Sequence, residues 1–234
     1  MSFHYSPKIV TDGLVFAVDA ANTKSYPGSG TTWKDLSGNG NDGTLTNGPT
    51  FDSGNGGSIV FDRSDDVVET PVIYDTWHQH DWTINAWFKY NNANIDNGFF
   101  EMTKNGVDSW GLSTVPRAGK LFIFWVSSTS SGHNLVSQQI ATNNIINVTI
   151  TFSSPGGTPT SNDLYNNTKT FINGEEITHS AGGGANVSSS GKLLVGSDAY
   201  KFGGNMYAFH YYEKTLSSKG VLQNYNALKS RFGL

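Results

Sequence analysis

The segment from Gly13 to Phe51 constrains the fold more than any other: GLVFAVDAANTKSYPGSGTTWKDLSGNGNDGTLTNGPTF. Gly28, Gly30, Gly38, Gly40, Gly43 and Gly48 can take positive φ at no steric cost, and the interleaved Asn and Asp side chains can close turns on their own backbone. Aliphatic and aromatic residues punctuate the run. This is the pattern of successive tight turns pinned by a few buried side chains, and it leaves no room for a long helix.

Downstream, short or alternating apolar runs recur with turn residues between them, as in a β-sandwich. The expected strands are Leu14–Asp19, Thr44–Leu45, Ser58–Asp62, Val67–Glu69, Thr83–Tyr90, Gly98–Thr103, Trp110–Thr114, Lys120–Ser127, Asn147–Phe152, Thr168–Ile172, Glu176–His179, Lys192–Gly196 and Asn205–Glu213. Within Thr83–Tyr90, period two places Ile84, Ala86, Phe88 and Tyr90 on one face and Thr83, Asn85, Trp87 and Lys89 on the other. Lys120–Val126 is nearly continuous in apolar residues, as expected of a strand covered on both faces. Asn173-Gly174 between two strand-like runs predicts a tight hairpin. The C-terminus changes period: Val221, Tyr225, Leu228 and Phe232 form a helical stripe, with Ser217 as N-cap and Gly233 as C-cap of a helix over about 218–232. Gly220 is a poor helix former inside it.

At 234 residues the chain suits a single all-β domain, here taken as residues 13–234 after an N-terminal arm or first edge segment, 1–12. Only 15% of residues are charged, against about 25% in ordinary domains, so Asn, Ser, Thr and Gly must make the surface. Such a surface suits protein or sugar contacts. With a net charge of −4 it argues against nucleic acid as a partner. The chain contains no cysteine, which fits folding in a reducing cytoplasm. Met1–Val10 lacks the pattern of a signal peptide, and no run approaches the roughly 18 apolar residues of a membrane span. The sequons at Asn147, Asn166 and Asn186 read as chance in an Asn- and Thr-rich chain.

The pattern GLVxxxDAxNxxSYPGxGxxWxDLSGNGNxGxLxNGP resembles the opening of laminin-G-like domains of the concanavalin A-like jelly-roll superfamily, in the variant common in structural proteins of tailed bacteriophages. The closing stretch GNMYAFHYYEKTLSSKGVLQNYNALKSRFG is similar to the last strand, turn and helix of that family, with Gly220 where Glu is usual. GGSIVFDRSDDVVE and WTINAWFKY resemble the family's middle strands, with Arg63 in place of Gly. The resemblance implies an all-β, two-sheet antiparallel jelly-roll sandwich with one short C-terminal helix. It also implies a non-enzymatic virion structural protein: a capsid decoration, head-fibre or tail-associated protein assembled in the host cytoplasm. Such a protein acts as a homo-oligomer through contacts with capsid or tail subunits. A carbohydrate-binding module for host-surface glycans is the alternative, and a glycoside hydrolase the least favoured reading.

Glycosidases of the superfamily carry closely spaced carboxylates on one strand, because a retaining mechanism needs two of them about 5–5.5 Å apart. The five Glu here (Glu69, Glu101, Glu175, Glu176 and Glu213) do not form that spacing, and Glu175-Glu176 reads as a solvated hairpin end. His78 and His80 in Asp75-Thr-Trp77-His78-Gln-His80-Asp81 would share one face of an extended segment, but no third metal ligand accompanies them, so no metal is assigned there. Laminin-G-like relatives often hold calcium, and Asp19, Asp35, Asn39, Asn41, Asp42, Asp65 and Asp66 are oxygen donors of the right kind. The simpler role for them is accepting backbone N–H groups in turns. For sugar stacking, the stock is Trp77, Trp82, Trp110 and Trp125. Trp77 and Trp110, near expected loops, are the glycan candidates together with His78 and His80, whereas Trp33, Trp87 and Trp125 read as packing residues. Phe3, Tyr5 and Pro7 in the arm are the candidates for binding a partner subunit.

Overall fold

The computed structural model describes residues 7–74, 79–91, 97–103, 111–117, 120–126, 131–140, 143–157, 161–183, 191–197 and 200–234. In chain order the strands are β1 (Leu14–Asp19), β2 (Thr32–Trp33), β3 (Gly43–Thr46), β4 (Thr50–Asp52), β5 (Ser58–Asp62), β6 (Val67–Tyr74), β7 (Trp82–Tyr90), β8 (Phe100–Thr103) and β9 (Gly111–Arg117). They continue with β10 (Lys120–Val126), β11 (Ser131–Gln139), β12 (Ile146–Phe152), β13 (Thr168–Ile172), β14 (Glu175–Ile177), β15 (His179–Gly183), β16 (Gly191–Val195) and β17 (Gly203–Tyr212). A six-residue helix, α1 (Ser161–Asn166), precedes β13, and α2 (Ser218–Leu228) follows β17 and runs into a 3-10 turn, Lys229–Phe232.

The strands form two sheets with antiparallel pairings. The eight-stranded sheet has the order β14-β13-β12-β7-β17-β5-β4, with β1 also paired to β17. The nine-stranded sheet runs β15-β11-β10-β9-β8-β16-β6-β3-β2. Between them lies one apolar core. Ile84, Ala86, Phe88 and Tyr90 enter it from β7, Phe209 and Tyr211 from β17, Phe100 and Met102 from β8, and Leu193 and Val195 from β16. This is the concanavalin A-like jelly-roll sandwich expected from the sequence. The Asn173-Gly174 hairpin is present, with φ of 52° and 81° as a primed turn requires.

Several elements depart from the expectation. The short edge strands β2 and β4, the polar strand β11 and helix α1 carry too little periodicity to announce themselves. The expected strand Glu176–His179 is two: β14 ends at Ile177 in one sheet and β15 starts at His179 in the other, so the chain changes sheets at Thr178.

The outward face of the eight-stranded sheet is not solvated. The Ser217 hydroxyl caps α2 by accepting from Gly220 N–H, and Gly233 ends the following turn at φ 72°. The expected helical stripe is buried there: Val221 packs with Phe171, Tyr212 and Leu216, while Tyr225, Leu228 and Phe232 close over Trp87, Tyr207 and Ala208. Residues 8–12 lie on the same side. Gln223 Nε2 donates to Lys8 C=O at 2.8 Å, and Val10 N–H donates to Asn224 Oδ1 at 2.8 Å. Asn224 Nδ2 donates to the Tyr212 hydroxyl, which donates to Val10 C=O. Lys214 pairs with Asp12. At the other end, Arg231 donates to Asp19 Oδ1 at 2.7 Å and to the carbonyls of Asn55 and Gly57 at 2.8 and 2.6 Å. Gly57 is obligatory: at φ 136°, an added Cβ would sit 2.5 Å from the Ala20 carbonyl oxygen.

Candidate functional site

The nine-stranded sheet has an outward face too, and α2 lies on the far side of the sandwich from it. Cross-strand register places one residue from each of its nine strands in a single row. Thr32 pairs with Thr44, Thr44 with Glu69, Glu69 with Leu194, and Leu194 with Glu101. Glu101 pairs with Ser113, Ser113 with Phe124, Phe124 with His133, and His133 with Gly182. The chain neighbours Trp33, Leu45, Val68, Phe100, Met102, Leu193 and Val195 are core residues, so Thr32, Thr44, Glu69, Leu194 and Glu101 belong to the face turned away from the core.

Along the row Thr32, Thr44 and Glu69 are exposed. Leu194 and Glu101 are buried, each 4% accessible. The Ser197 hydroxyl donates to Glu101 Oε2 at 2.6 Å and accepts from Tyr200 N–H at 2.9 Å. This loop can approach only because residue 98 is glycine, since an added Cβ would lie 2.4 Å from Ser197 Cβ. A charge-assisted bond of this kind holds the carboxylate in one place. One strand separates Glu69 from Glu101, so their backbones are about 9.5 Å apart at the usual strand spacing. Glu176 is exposed and pairs with Lys169 at 3.0 Å.

The acidic turn residues fall into two groups. Asp35 Oδ1 accepts from the N–H groups of Ala17 and Ser37, and its Oδ2 accepts from the Ser37 hydroxyl and Asn41 N–H. Asp42 accepts from Asp35 N–H, and the Asn39 and Asn41 amides both donate to Val15 C=O. Asp19 accepts from Ala21 N–H and Arg231. These are the turn-closing roles that the side chains suit. Asp65 and Asp66 instead gather with Asp62, one oxygen from each lying within 4.8 Å of the others. Asp66 Oδ2 accepts from Asp62 N–H at 2.8 Å, and Asp62 Oδ1 from Ser64 N–H at 2.7 Å. Burial, aided by the charges of Asp62 and Asp65, pushes the Asp66 carboxyl above the usual range. Three carboxylates could ligate a hard cation, but calcium takes six to eight oxygens, and two of these carboxylates already serve N–H groups.

A second polar layer lies beneath α2. Asn85 Nδ2 donates to Thr149 Oγ1 at 2.6 Å and to Asn147 Oδ1 at 3.3 Å, and its Oδ1 faces His210 Nδ1 at 3.1 Å. The amide assignment makes Nδ1 the protonated ring nitrogen. Burial lowers the His210 pKa to about 4, so the ring is neutral near pH 7.

Of the candidates chosen from sequence, Trp77, His78, Trp110, Phe3 and Tyr5 lie outside the described residues. His80 is exposed just ahead of β7, and Pro7 is exposed at the start of the described chain. Trp82, counted among the residues for sugar stacking, is instead wholly buried and stacks on Phe152 at 5.6 Å. Trp33 and Trp87 are core residues, as expected. The alignment of Glu69 with Glu101 was not foreseeable, since it depends on β16 inserting between β6 and β8 from nearly a hundred residues downstream.

An antiparallel two-sheet sandwich with a C-terminal helix packed on one outer face defines the class: a concanavalin A-like jelly roll. The chain belongs to the concanavalin A-like lectin/glucanases superfamily, its Laminin_G_3 family model matching residues 62–221. Among curated proteins, none matches the chain. Solved structures share the fold at low identity. The binding domain of Paraclostridial Mosquitocidal Protein 1 is 16% identical with a TM-score of 0.64, over 93% of this chain and 52% of that one. The receptor-binding domain of botulinum neurotoxin type G is 14% identical with a TM-score of 0.62, over 92% and 51%. This chain thus spans about half the length of those toxin domains. Domain 4 of AbnA, a GH43 extracellular arabinanase from Geobacillus stearothermophilus, solved with arabinotriose, is 16% identical with a TM-score of 0.66, over 90% of this chain and 97% of that one.

Proposed function

We infer that the domain is a non-catalytic recognition module whose nine-stranded sheet binds a saccharide chain across its outward face. The carrying observation is the exposed end of the register row, where Thr32, Thr44 and Glu69 set two hydroxyls and a carboxylate side by side on the outward face. A sugar needs such a series of fixed acceptors and donors along a shallow surface. The arabinanase domain of matching size, solved with a trisaccharide, and the toxin domains described as binding domains support the same reading. Glu69, exposed on the row, suits an acceptor for a sugar hydroxyl, whereas Glu101 is buried and held by Ser197. A glycan array with wild type, Glu69→Gln and Trp110→Ala tests the reading: binding to a saccharide that weakens at least fivefold in either variant supports it, and no binding to any glycan overturns it. Release of reducing sugar that disappears in Glu101→Gln would make the domain a hydrolase instead.

The terminal motifs favour a setting for this module, a tailed-phage particle in which it acts beside other virion proteins as a homo-oligomer. Surface recognition and particle attachment are compatible roles. Finding the chain in purified virions by mass spectrometry tests the setting, and its absence from them removes it.

A further inference from the structure

Residues 23–34, between β1 and the end of β2, line a groove of about 750 Å³. That is ample for two or three sugar units, since pockets for small ligands commonly run about 300–1,000 Å³. Its wall is fixed before any ligand arrives. The Ser25 hydroxyl donates to Lys34 C=O at 2.6 Å, Lys34 N–H donates to Ser25 C=O at 2.8 Å, and the Tyr26 hydroxyl donates to Gly30 C=O at 2.8 Å. Tyr26 is buried against Phe51, with ring centroids 5.4 Å apart. A preformed wall spares a ligand the cost of ordering it.

The chemistry of the lining is unusual for this molecule. Lys24 and Lys34 both line the groove and are exposed, and neither has an ion-pair partner among the described residues. The nearest acidic residues in the chain are committed elsewhere: Asp35 to its four N–H and O–H donors, Asp19 to Ala21 and Arg231. Two unneutralised ammonium groups therefore flank one groove in a chain of net charge −4. Pro27 and the threonine side chains add apolar and hydroxyl groups of the kind that meet a pyranose ring. Thr32 is at once a groove residue and the end of the register row. The groove is thus continuous with the sheet face.

We propose that the ligand is an acidic saccharide chain whose carboxylate, sulfate or phosphate group seats between Lys24 and Lys34 while the rest of the chain crosses the sheet face. This rests on the saccharide reading above. Because the overall charge repels polyanions, attraction is local to the groove and weakens with added salt.

The test is an array of galacturonate tetramer, its methyl ester, heparin-derived tetramer, glycerol phosphate oligomer and neutral galactan and arabinan oligomers, followed by calorimetry on whatever binds. It uses wild type and the double variant Lys24→Gln/Lys34→Gln. The expected result is at least tenfold tighter binding of one acidic oligomer than of its neutral counterpart, with that preference lost in the double variant. Both lysines are exposed, and an unchanged melting temperature confirms that the variant folds. Binding of neutral oligomers alone, or an acidic preference that survives in the double variant, overturns the groove's role and leaves the sheet-face reading standing. No binding at all overturns both. Inorganic phosphate that binds as tightly as the best oligomer makes the groove a simple anion site and overturns the saccharide assignment.

Discussion

The rings of Trp87 and Tyr225 lie 5.6 Å apart with only 5° between their planes. Phe232 also stacks against Trp87, at 4.7 Å. One strand residue thus receives two side chains from the C-terminal helical segment. This explains how a sheet can carry a tryptophan outward and still bury it completely.

Tyr225→Ala removes one of those two rings. Aromatic pairs contribute beyond their buried area, and a truncation here leaves a cavity beside Trp87, so stability should fall by about 2 kcal/mol. Urea unfolding followed by tryptophan fluorescence measures it. A loss below about 0.5 kcal/mol would mean that α2 docks without the stack.

Asn224 is wholly buried and joins three parts of the chain: helix α2, the Val10 backbone and the Tyr212 hydroxyl. Asn224→Ala orphans the Val10 N–H and removes one partner of Tyr212. An unsatisfied buried group costs about 1–3 kcal/mol. Amide exchange at Val10 should quicken far more than exchange in β12. Uniform quickening would show that residues 8–12 are not held by this side chain.

His210 makes stability depend on pH. Burial lowers its folded pKa to about 4, against about 6.5 for an unperturbed histidine, so between these values the unfolded chain binds the extra proton. Stability contributed by the neutral ring is complete above pH 6.5, declines as the pH falls, and changes no further below about 4. The total is about 3 kcal/mol. The raised Asp66 carboxyl acts oppositely, favouring the folded state as pH falls. Comparing slopes for wild type and His210→Asn isolates the histidine. Equal slopes between pH 4 and 6.5 would contradict the burial argument.

Gly220 occupies the first turn of α2, where an added Cβ meets nothing closer than Val10 Cγ2 at 3.6 Å. Its N–H bond to the Ser217 cap survives substitution, because only the side chain changes. Gly220→Ala should stabilise the domain by about 0.5–1 kcal/mol through lower backbone entropy in the unfolded chain. A lower melting temperature would show that Val10 cannot yield the space.

Sequence patterns located β1, β5 and β13 to the residue, and the N-cap and stripe of α2, because those signals are local; Gly233, expected to cap the helix, instead closes the 3-10 turn that takes over at Lys229. Strand β11, SGHNLVSQQ, has few β-branched residues and is a strand because β10 and β15 pair with both its edges. Alternation sets Asn85 on the face of β7 opposite Ile84 and Ala86, yet Asn85 and its cross-strand partner His210 are both buried. The candidate binding row was the least visible feature, since its members come from nine strands whose order no local pattern encodes. Asp35 was recognisable as an oxygen donor, but whether it would serve a cation or backbone N–H groups depended on how the loops around Ala17 and Asn41 folded back.

Gln223 grips Lys8, and Arg231 ties the last turn to the Asn55–Gly57 bend, so both described extremities lie on the helix side of the sandwich. An attachment made through either extremity would therefore hold the domain from behind, with Thr32, Thr44 and Glu69 directed at the surroundings. Under the saccharide reading proposed above, the fold itself aims that face, and a tether needs only strength, not length or flexibility.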